Sequence, residues 1–266
     1  MTEDGDFFSL GWQRFAVDDN VLDWVRRATP VAEATLRDPE QRRKWLRCGG
    51  TWFAGVNVLP NDADAAIPSD GVPPLTGAVI DFVRDQLGLD GFAWDPGQIS
   101  ICFPGYPQPW EGETEAAFGF RKNRDAAHVD GLLRVGPDRR RALGEVHGFI
   151  LGLPMTDAGP NAAPVTVYEG SHEIMRAAFQ DRFAGISPKD WSAEDVTDIY
   201  VAARRRCFET CARVTVHAGV GQSYLIHRLA LHGVAPWSGG EGMRMIAYFR
   251  PDPFPGAEPG WWLDRP

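Results

Sequence analysis

Apolar residues recur at three- and four-residue intervals in two segments of the first hundred residues, which predicts amphipathic helices over 18–38 and 74–89. Two other segments, 51–60 and 97–105, are short runs with β-branched and aromatic residues, and glycine or proline bounds them. Such runs are typical of strands. The N-terminal part of the chain, residues 1–100, is therefore predicted to mix helix and strand.

The segment 104–127 follows neither a helical nor a strand period. It contains three prolines and three glycines among interleaved charges, and these residues interrupt regular structure. We therefore expect one long loop. Loops of this length inside a compact domain are usually lids or binding loops. A solvated surface loop without functional motion is the alternative.

After Asp130 the chain is dominated by short apolar runs separated by Gly, Pro and Asp. These runs predict strands in 145–155, 163–170, 211–219, 222–227, 229–237 and 244–251. One longer segment, 172–206, has the pattern of one or two helices. Short, closely spaced strands are typical of a sandwich or jelly roll and not of a parallel sheet. The predicted fold is mainly β with flanking helices.

Composition and charge restrict the partners. The chain has 266 residues, 44% of them hydrophobic, which is enough for one sizeable core, so we expect a single domain, 1–266. The net charge of −9 is spread along the chain, and no basic cluster alternates with aromatic residues as a nucleic-acid groove requires. No run reaches the roughly 18 to 20 apolar residues that span a bilayer, and the acidic N-terminus lacks signal-peptide features. We expect a cytoplasmic protein with no nucleic-acid or membrane partner.

The stretch AAHVDGLL places a histidine and an aspartate two positions apart, at His128 and Asp130. Residues i and i+2 of an extended strand point to the same side, so both side chains can converge on one metal ion. A third ligand must come from elsewhere in the chain. The remaining histidines are His147, His172, His217, His227 and His232.

The choice between His227 and His232 depends on the segment that follows them. The two histidines are five positions apart, so on one continuous strand they face opposite sides. A hairpin with its turn at 238–241 would make His232 and Arg244 cross-strand neighbours on one face. A buried arginine needs a carboxylate, and its planar fork suits a dicarboxylate ligand. This arrangement selects His232.

Two histidines and one carboxylate on one face of a metal form the facial triad of non-haem Fe(II) oxygenases. The order of His128, Asp130, His232 and Arg244 resembles that of the Fe(II)- and 2-oxoglutarate-dependent dioxygenases. More narrowly, NAAPVTVYEGSHE and LHGVAP are similar to motifs of the phytanoyl-CoA dioxygenase-like branch. The likeness covers about half of the chain, 125–250. One departure is Gly-Gln-Ser at 221–223, where the family often has Gly-Asp before the distal histidine.

The resemblance implies a double-stranded β-helix, that is a jelly-roll, cupin-like core, over 125–250, with 1–100 packing on this core. It implies that His128, Asp130 and His232 bind Fe(II), and that Arg244 binds the distal carboxylate of 2-oxoglutarate. The expected activity is hydroxylation of a small-molecule metabolite with O2 as co-substrate and ascorbate as the reductant in vitro. A cupin-like isomerase or hydrolase and a non-catalytic ligand-binding barrel are the alternatives.

Overall fold

The structure is a computed structural model that describes residues 4–264. Residues 1–3, which belong to the N-terminal stretch inspected for a signal peptide, and the last two residues lie outside the described range. The described strands are β1 (Gly5–Asp6), β2 (Trp12–Phe15), β3 (Leu46–Arg47), β4 (Trp52–Gly55), β5 (Gln98–Cys102), β6 (Leu132–Val135), β7 (Arg140–Leu143), β8 (Phe149–Pro154), β9 (Val165–Tyr168), β10 (Arg213–Val216), β11 (Ser223–His227), β12 (His232–Val234) and β13 (Arg244–Phe249). The α-helices are α1 (Phe7–Leu10), α2 (Asp19–Arg37), α3 (Pro39–Trp45), α4 (Ala78–Asp85), α5 (Glu115–Asn123), α6 (Ser171–Phe183) and α7 (Thr197–Thr210). Short 3-10 helices cover Cys48–Gly50, Pro68–Asp70, Pro188–Ala193 and Pro259–Leu263.

The helices and strands predicted from the hydrophobic pattern are confirmed in type. Helices α2 and α4 lie within the two periodic segments, and β4 and β5 lie within the two β-branched runs. Each of the six strand segments after Asp130 contains one strand, and α6 and α7 occupy most of the predicted helical interruption. None of the described helices is both long and apolar enough to cross a membrane.

The segment 104–127 was expected to be a loop throughout, and this is wrong for its second half, which forms α5. The reason is the distribution of the helix-breaking residues. All three prolines and two of the three glycines precede Glu113. From Thr114 the sequence TEAAFGFRKN is compatible with a helix, and the Thr114 hydroxyl caps it by accepting a hydrogen bond from the Ala117 amide at 3.2 Å.

The strands form antiparallel sheets with helices packed around them. One eight-stranded sheet has the order β1-β2-β11-β8-β13-β5-β4-β3, and a three-stranded sheet has the order β10-β9-β12. A separate hairpin joins β6 and β7. Five of the eight strands in the large sheet precede residue 103, so the N-terminal part supplies strands to the sheet in addition to the helices that pack on it.

Residues alternate between the two faces of the large sheet, as the period-two pattern requires. On one face, Leu151 and Phe249 join the core that contains Trp24 of α2 and Val83 of α4. On the other face, interior residues of the large sheet pack against those of the small sheet: Ile150, Tyr224, Ile226 and Ile246 with Val165 and Val167. The space between the two sheets is therefore lined by every second residue of each strand, and polar residues at those positions face it.

Candidate metal centre

His128, Asp130 and His232 converge on one point between the sheets. One ligand atom from each residue lies within 4.8 Å of the other two. Nε2 of His128 is 3.1 Å from Oδ1 of Asp130, and Nε2 of His232 is 3.8 Å from Oδ2. Two atoms that bind one divalent ion at right angles, each about 2.1 Å from it, are about 3 Å apart. The three residues are thus arranged as a group that can hold a metal ion.

The backbone fixes the two histidines relative to each other. His128 and His232 form an isolated antiparallel bridge in which each amide donates to the other's carbonyl, at 2.8 and 3.0 Å. Nδ1 of His128 lies 3.1 Å from the Ala126 carbonyl oxygen, and Nδ1 of His232 lies 2.9 Å from the Ala230 carbonyl oxygen. A carbonyl oxygen only accepts, so each Nδ1 carries the proton and each Nε2 keeps its lone pair for a metal.

The protonation states suit metal binding. Burial raises the pKa of Asp130, but the positive charge of Arg250 and the contacts with the two histidines outweigh this and hold the pKa well below its usual value. Burial lowers the pKa of His232 to about 4. At neutral pH the site therefore offers an ionised carboxylate and a neutral imidazole, which are the forms that bind metal ions.

Arg250 is the residue at this site that sequence reasoning missed. Its Nη1 donates to Oδ2 of Asp130 at 3.2 Å, its Nη2 donates to Gln98 Oε1, and its backbone amide donates to Asp95 Oδ1 at 2.8 Å. Residue 250 is six positions after Arg244, so both arginines belong to the same face of an extended chain. This even spacing is the one sequence feature that could have indicated that Arg250 also faces the interior.

Gly233 and the turn before His128 allow the two histidines to approach. A Cβ added at Gly233 would lie 2.2 Å from the carbonyl oxygen of Asp125 and 3.0 Å from the backbone of Ala127. The turn itself is held by the Asp125 carboxylate, which accepts from Arg213 at 2.6 and 2.8 Å. Glycine is thus needed at position 233, directly after His232, because the backbone of Asp125 and Ala127 packs against it.

The remaining histidines lie away from the group. His147 pairs with Glu145 at 3.1 Å and lines a neighbouring cavity of about 790 Å³. His172 lies in α6, with Nε2 3.1 Å from the Phe8 carbonyl oxygen. His227 is fully buried, and its Nδ1 accepts from the Leu229 amide at 3.0 Å. His217 is exposed on the loop after β10.

The predicted hairpin between His232 and Arg244 is wrong. β12 pairs with β9 in the small sheet, whereas β13 pairs with β5 and β8 in the large sheet. The connecting segment does not turn directly back, because Trp237 donates to the Tyr106 carbonyl at 2.7 Å and Ser238 donates to the Asn161 carbonyl at 2.9 Å. It crosses from one sheet to the other. His232 joins the group through its bridge to His128 and not through a strand shared with Arg244.

Arg244 begins β13 and faces the space between the sheets. It is 5% exposed, and Nε, Nη1 and Nη2 all lack a hydrogen-bond partner within residues 4–264. Tyr248 lies four positions along on the same face and lines the cavity of the His-Asp-His group. Burial raises the pKa of Tyr248, and the nearby positive charge of Arg244 opposes this. The guanidinium thus lies next to a residue of the metal-site cavity.

A tyrosine pair forms part of the same interior. The Tyr224 hydroxyl donates to the Tyr248 hydroxyl at 2.9 Å across the central strand β8. Gly152 of β8 is opposite both residues, and a Cβ there would lie 2.2 Å from Cζ of Tyr224. Glycine at this position therefore leaves room for the ring of Tyr224.

The cavity that contains the three converging residues has a volume of about 280 Å³. Residues of both sheets and of the 104–127 segment line it, among them Ile150, Val165, Ile226, Trp52 and Trp110. A mainly apolar cavity with a few polar groups at one point is typical of small-molecule sites.

Comparisons with known proteins support the fold. No protein-family model and no curated protein matches the sequence significantly. Among solved structures, AviO1 from Streptomyces viridochromogenes Tue57 is similar, with 16% identity over 98% of this chain and 95% of that chain and a TM-score of 0.51. The epimerase SnoN in complex with Fe3+, alpha ketoglutarate and nogalamycin RO is 17% identical over 92% of this chain and 79% of that chain, with a TM-score of 0.50. At these identities the likeness concerns the fold.

Proposed function

We propose that the protein is an Fe(II)- and 2-oxoglutarate-dependent oxygenase that hydroxylates a small-molecule metabolite. His128, Asp130 and His232 would hold the iron, and Arg244 would bind the distal carboxylate of 2-oxoglutarate. Two imidazoles and one carboxylate that leave the other positions open are the donor set of this class of iron site. Neutral His232 and ionised Asp130 support the assignment.

The observation that carries the proposal is that the guanidinium of Arg244 is buried and pairs with no carboxylate. A buried guanidinium without an anionic partner is costly, because the charge loses its hydration and the side chains around Arg244, Tyr248, Tyr224, Cys102 and Tyr106, compensate for this only in part. No carboxylate of the described residues pairs with Arg244. A dicarboxylate that reaches from the metal towards β13 would pair with it bidentately. A binding barrel or a hydrolase that uses a metal alone gives this arginine no role.

The chain itself performs binding, orientation and exclusion of water. Arg250 holds one oxygen of Asp130, which leaves the other oxygen for the metal. Tyr248 and Tyr224 provide hydroxyl groups beside Arg244. The apolar side chains around the cavity restrict water. When bound, iron and 2-oxoglutarate would supply the chemistry, in which decarboxylation to succinate is coupled to transfer of one oxygen atom from O2 to a C–H bond.

The fold and the motifs support the same assignment. SnoN, with which this chain shares its fold, was solved with Fe3+ and alpha ketoglutarate. We propose that the two facing sheets are a double-stranded β-helix of the jelly-roll, cupin-like type, and that 1–266 is one oxygenase domain. We further propose that the chain is a distant member of the phytanoyl-CoA dioxygenase-like branch, on the strength of the motif around His232.

The decisive experiment measures succinate. Purified protein is incubated with Fe(II), ascorbate, O2 and 2-oxoglutarate, and succinate is compared between the native protein and Asp130→Ala, with Asp138→Ala, an exposed residue of the turn between β6 and β7, as a surface control. We expect slow succinate formation by the native protein and by Asp138→Ala, and none by Asp130→Ala. Equal succinate from all three would contradict the proposal. With a true substrate, mass spectrometry should detect a product that has gained one oxygen atom.

A further inference from the structure

Three aromatic side chains, one from β4 and two from the 104–127 segment, line the cavity that contains the three converging residues. Trp52, Tyr106 and Trp110 all face it. Trp52 and Tyr106 pack edge to face, with ring centroids 6.3 Å apart. Trp110 is 47% exposed although it is a large apolar residue. Trp110 thus combines an exposed aromatic surface with a place in the cavity wall, where a ligand can reach it.

Trp110 is held in place and is not a loose surface residue. Its indole Nε1 donates to Sγ of Cys48 at 3.1 Å, and its backbone amide donates to Glu113 Oε2 at 3.1 Å. The guanidinium of Arg121 lies over the ring, with Cζ 4.5 Å from the centroid. Arg121 is itself fixed by Glu113, at 2.7 and 2.9 Å. The ring therefore keeps one orientation, with half of its surface still open.

The charged residues that line the cavity are already neutralised. Arg121 pairs with Glu113, Asp125 pairs with Arg213, and Asp130 pairs with Arg250. These are all the charged side chains among the cavity-lining residues that the structure describes. A charged substrate would have to lose its hydration without gaining a partner here, which disfavours it strongly.

The indole N–H groups of Trp52 and Trp110 already have hydrogen-bond acceptors within the protein. The indole N–H of Trp52 donates to Ser100 Oγ at 3.1 Å, and that of Trp110 is taken by Cys48. Both rings thus offer carbon surfaces. Aromatic rings pack favourably against other aromatic rings in offset-stacked or edge-to-face geometry.

We propose that this cavity accepts an uncharged, planar aromatic substrate whose ring stacks on Trp110. The inference rests on the proposed function, since it names the substrate class of the same site. It separates the two ligands by charge: the dicarboxylate co-substrate goes to Arg244, and the neutral substrate goes to the cavity wall formed by Trp52, Tyr106 and Trp110.

Equilibrium dialysis tests binding without turnover. The probes are 2-naphthol, its saturated analogue decahydro-2-naphthol, and the charged analogues 2-naphthoate and 2-naphthylmethylamine. We expect 2-naphthol to bind at least about tenfold more tightly than each of the other three. Trp110→Ala should weaken 2-naphthol binding about tenfold, and Trp110→Phe should weaken it less. Trp45→Ala is the matched control, because Trp45 is also half-buried under a cation, Lys44 at 4.8 Å, but lines none of the described cavities.

The possible outcomes distinguish a failure of the proposed substrate class from a failure of the proposed activity. Equal binding of 2-naphthol and its saturated analogue, tighter binding of a charged probe, or unchanged binding by Trp110→Ala would each overturn the aromatic assignment. The dialysis needs neither iron nor 2-oxoglutarate, so it is readable if succinate formation fails. 2-Naphthoate is also dialysed against Arg244→Ala, so that binding of its carboxylate to Arg244 is not mistaken for binding at Trp110. Conversely, a protein that forms succinate but does not prefer 2-naphthol would retain the proposed function and lose the proposed substrate class.

Discussion

Arg250 donates a hydrogen bond to Oδ2 of Asp130, while Oδ1 of the same carboxylate faces His128. The two oxygens thus have different partners, and the side chain cannot rotate without breaking one contact. An arginine in this position orients the carboxylate and favours its ionised form. Gln98 holds the other end of the guanidinium.

We therefore predict that Arg250→Met lowers metal affinity about ten- to a hundredfold, the usual cost of losing a group that orients a metal ligand. Isothermal titration with Ni(II) measures it. Arg27→Met, which removes an exposed arginine paired with Asp23, should leave the affinity unchanged. Arg250→Lys should recover part of the loss. Native affinity in Arg250→Met would mean that Asp130 is held without Arg250.

The ligand assignment predicts opposite results for two histidines. Asp130→Ala and His232→Ala should each weaken metal binding at least about tenfold, or about 1.4 kcal/mol. His227→Ala should keep the metal, because His227 bonds to the Leu229 amide outside the group. The same titration on the three variants decides this. Metal loss in His227→Ala with retention in His232→Ala would reverse the assignment.

Arg244→Ala should weaken 2-oxoglutarate binding by roughly 2 to 3 kcal/mol, the scale of a charge-assisted hydrogen-bonded pair. Ni(II) should remain bound, because Arg244 contacts none of the three converging residues. Titration of 2-oxoglutarate into Ni(II)-loaded protein measures the change, and Arg140→Ala, on the surface beside Asp195, is the control. An unchanged affinity would place the distal carboxylate elsewhere.

Gly233→Ala should destabilise the fold and disturb the metal site together. The added methyl would meet the Asp125 carbonyl at 2.2 Å, and backbone cannot move aside cheaply. We expect a loss of about 2 kcal/mol in the free energy of unfolding, the range of overpacked sites. Urea denaturation measures it. Gly239→Ala is the control, since its Cβ would meet Asn161 only at 3.4 Å. Equal stability of the two variants would show that the backbone of Asp125 and Ala127 does not pack tightly against Gly233.

Local pattern was sufficient for eight of the strands, β4, β5 and β8–β13, and for two of the three residues that converge at the candidate metal site, but it missed β1, β2, β3, β6 and β7. The alternation in 244–251 predicted β13, and the i, i+2 spacing placed His128 and Asp130 on one side. Both depend only on neighbours in sequence. The helix α5 was missed because the prolines of the preceding ten residues were applied to the whole segment.

The pairing of the strands could not be predicted from local sequence pattern, because it joins residues that are far apart in the chain. The expectation that His232 and Arg244 share a hairpin assumed that consecutive strands pair. In the structure their strands belong to different sheets. His232 was still selected, although the assumption was wrong, because both sheets face the same interior. Arg250, which pairs with Asp130, is 120 residues away from it in the chain. Only the folded structure reveals this contact.

The segment 104–127 remains a predicted lid, and its contacts make the prediction specific. Helix α5 contains no buried residue. Trp110 is anchored to Cys48 outside the segment, but Arg121 of α5 also lines the cavity, so movement of α5 would open or close the site. Closure over bound 2-oxoglutarate would exclude water from the metal.

Limited trypsin digestion tests the lid. Lys122 is exposed on α5, while Arg121 is fixed by Glu113, so we expect the first cleavage after Lys122. Adding Ni(II) and 2-oxoglutarate should slow this cleavage several-fold. Arg139, exposed in the turn between β6 and β7, provides an internal control whose cleavage rate should not change. If the ratio of the two rates is the same with and without ligands, the segment is a static part of the cavity wall, and Trp110 binds its ligand without closure.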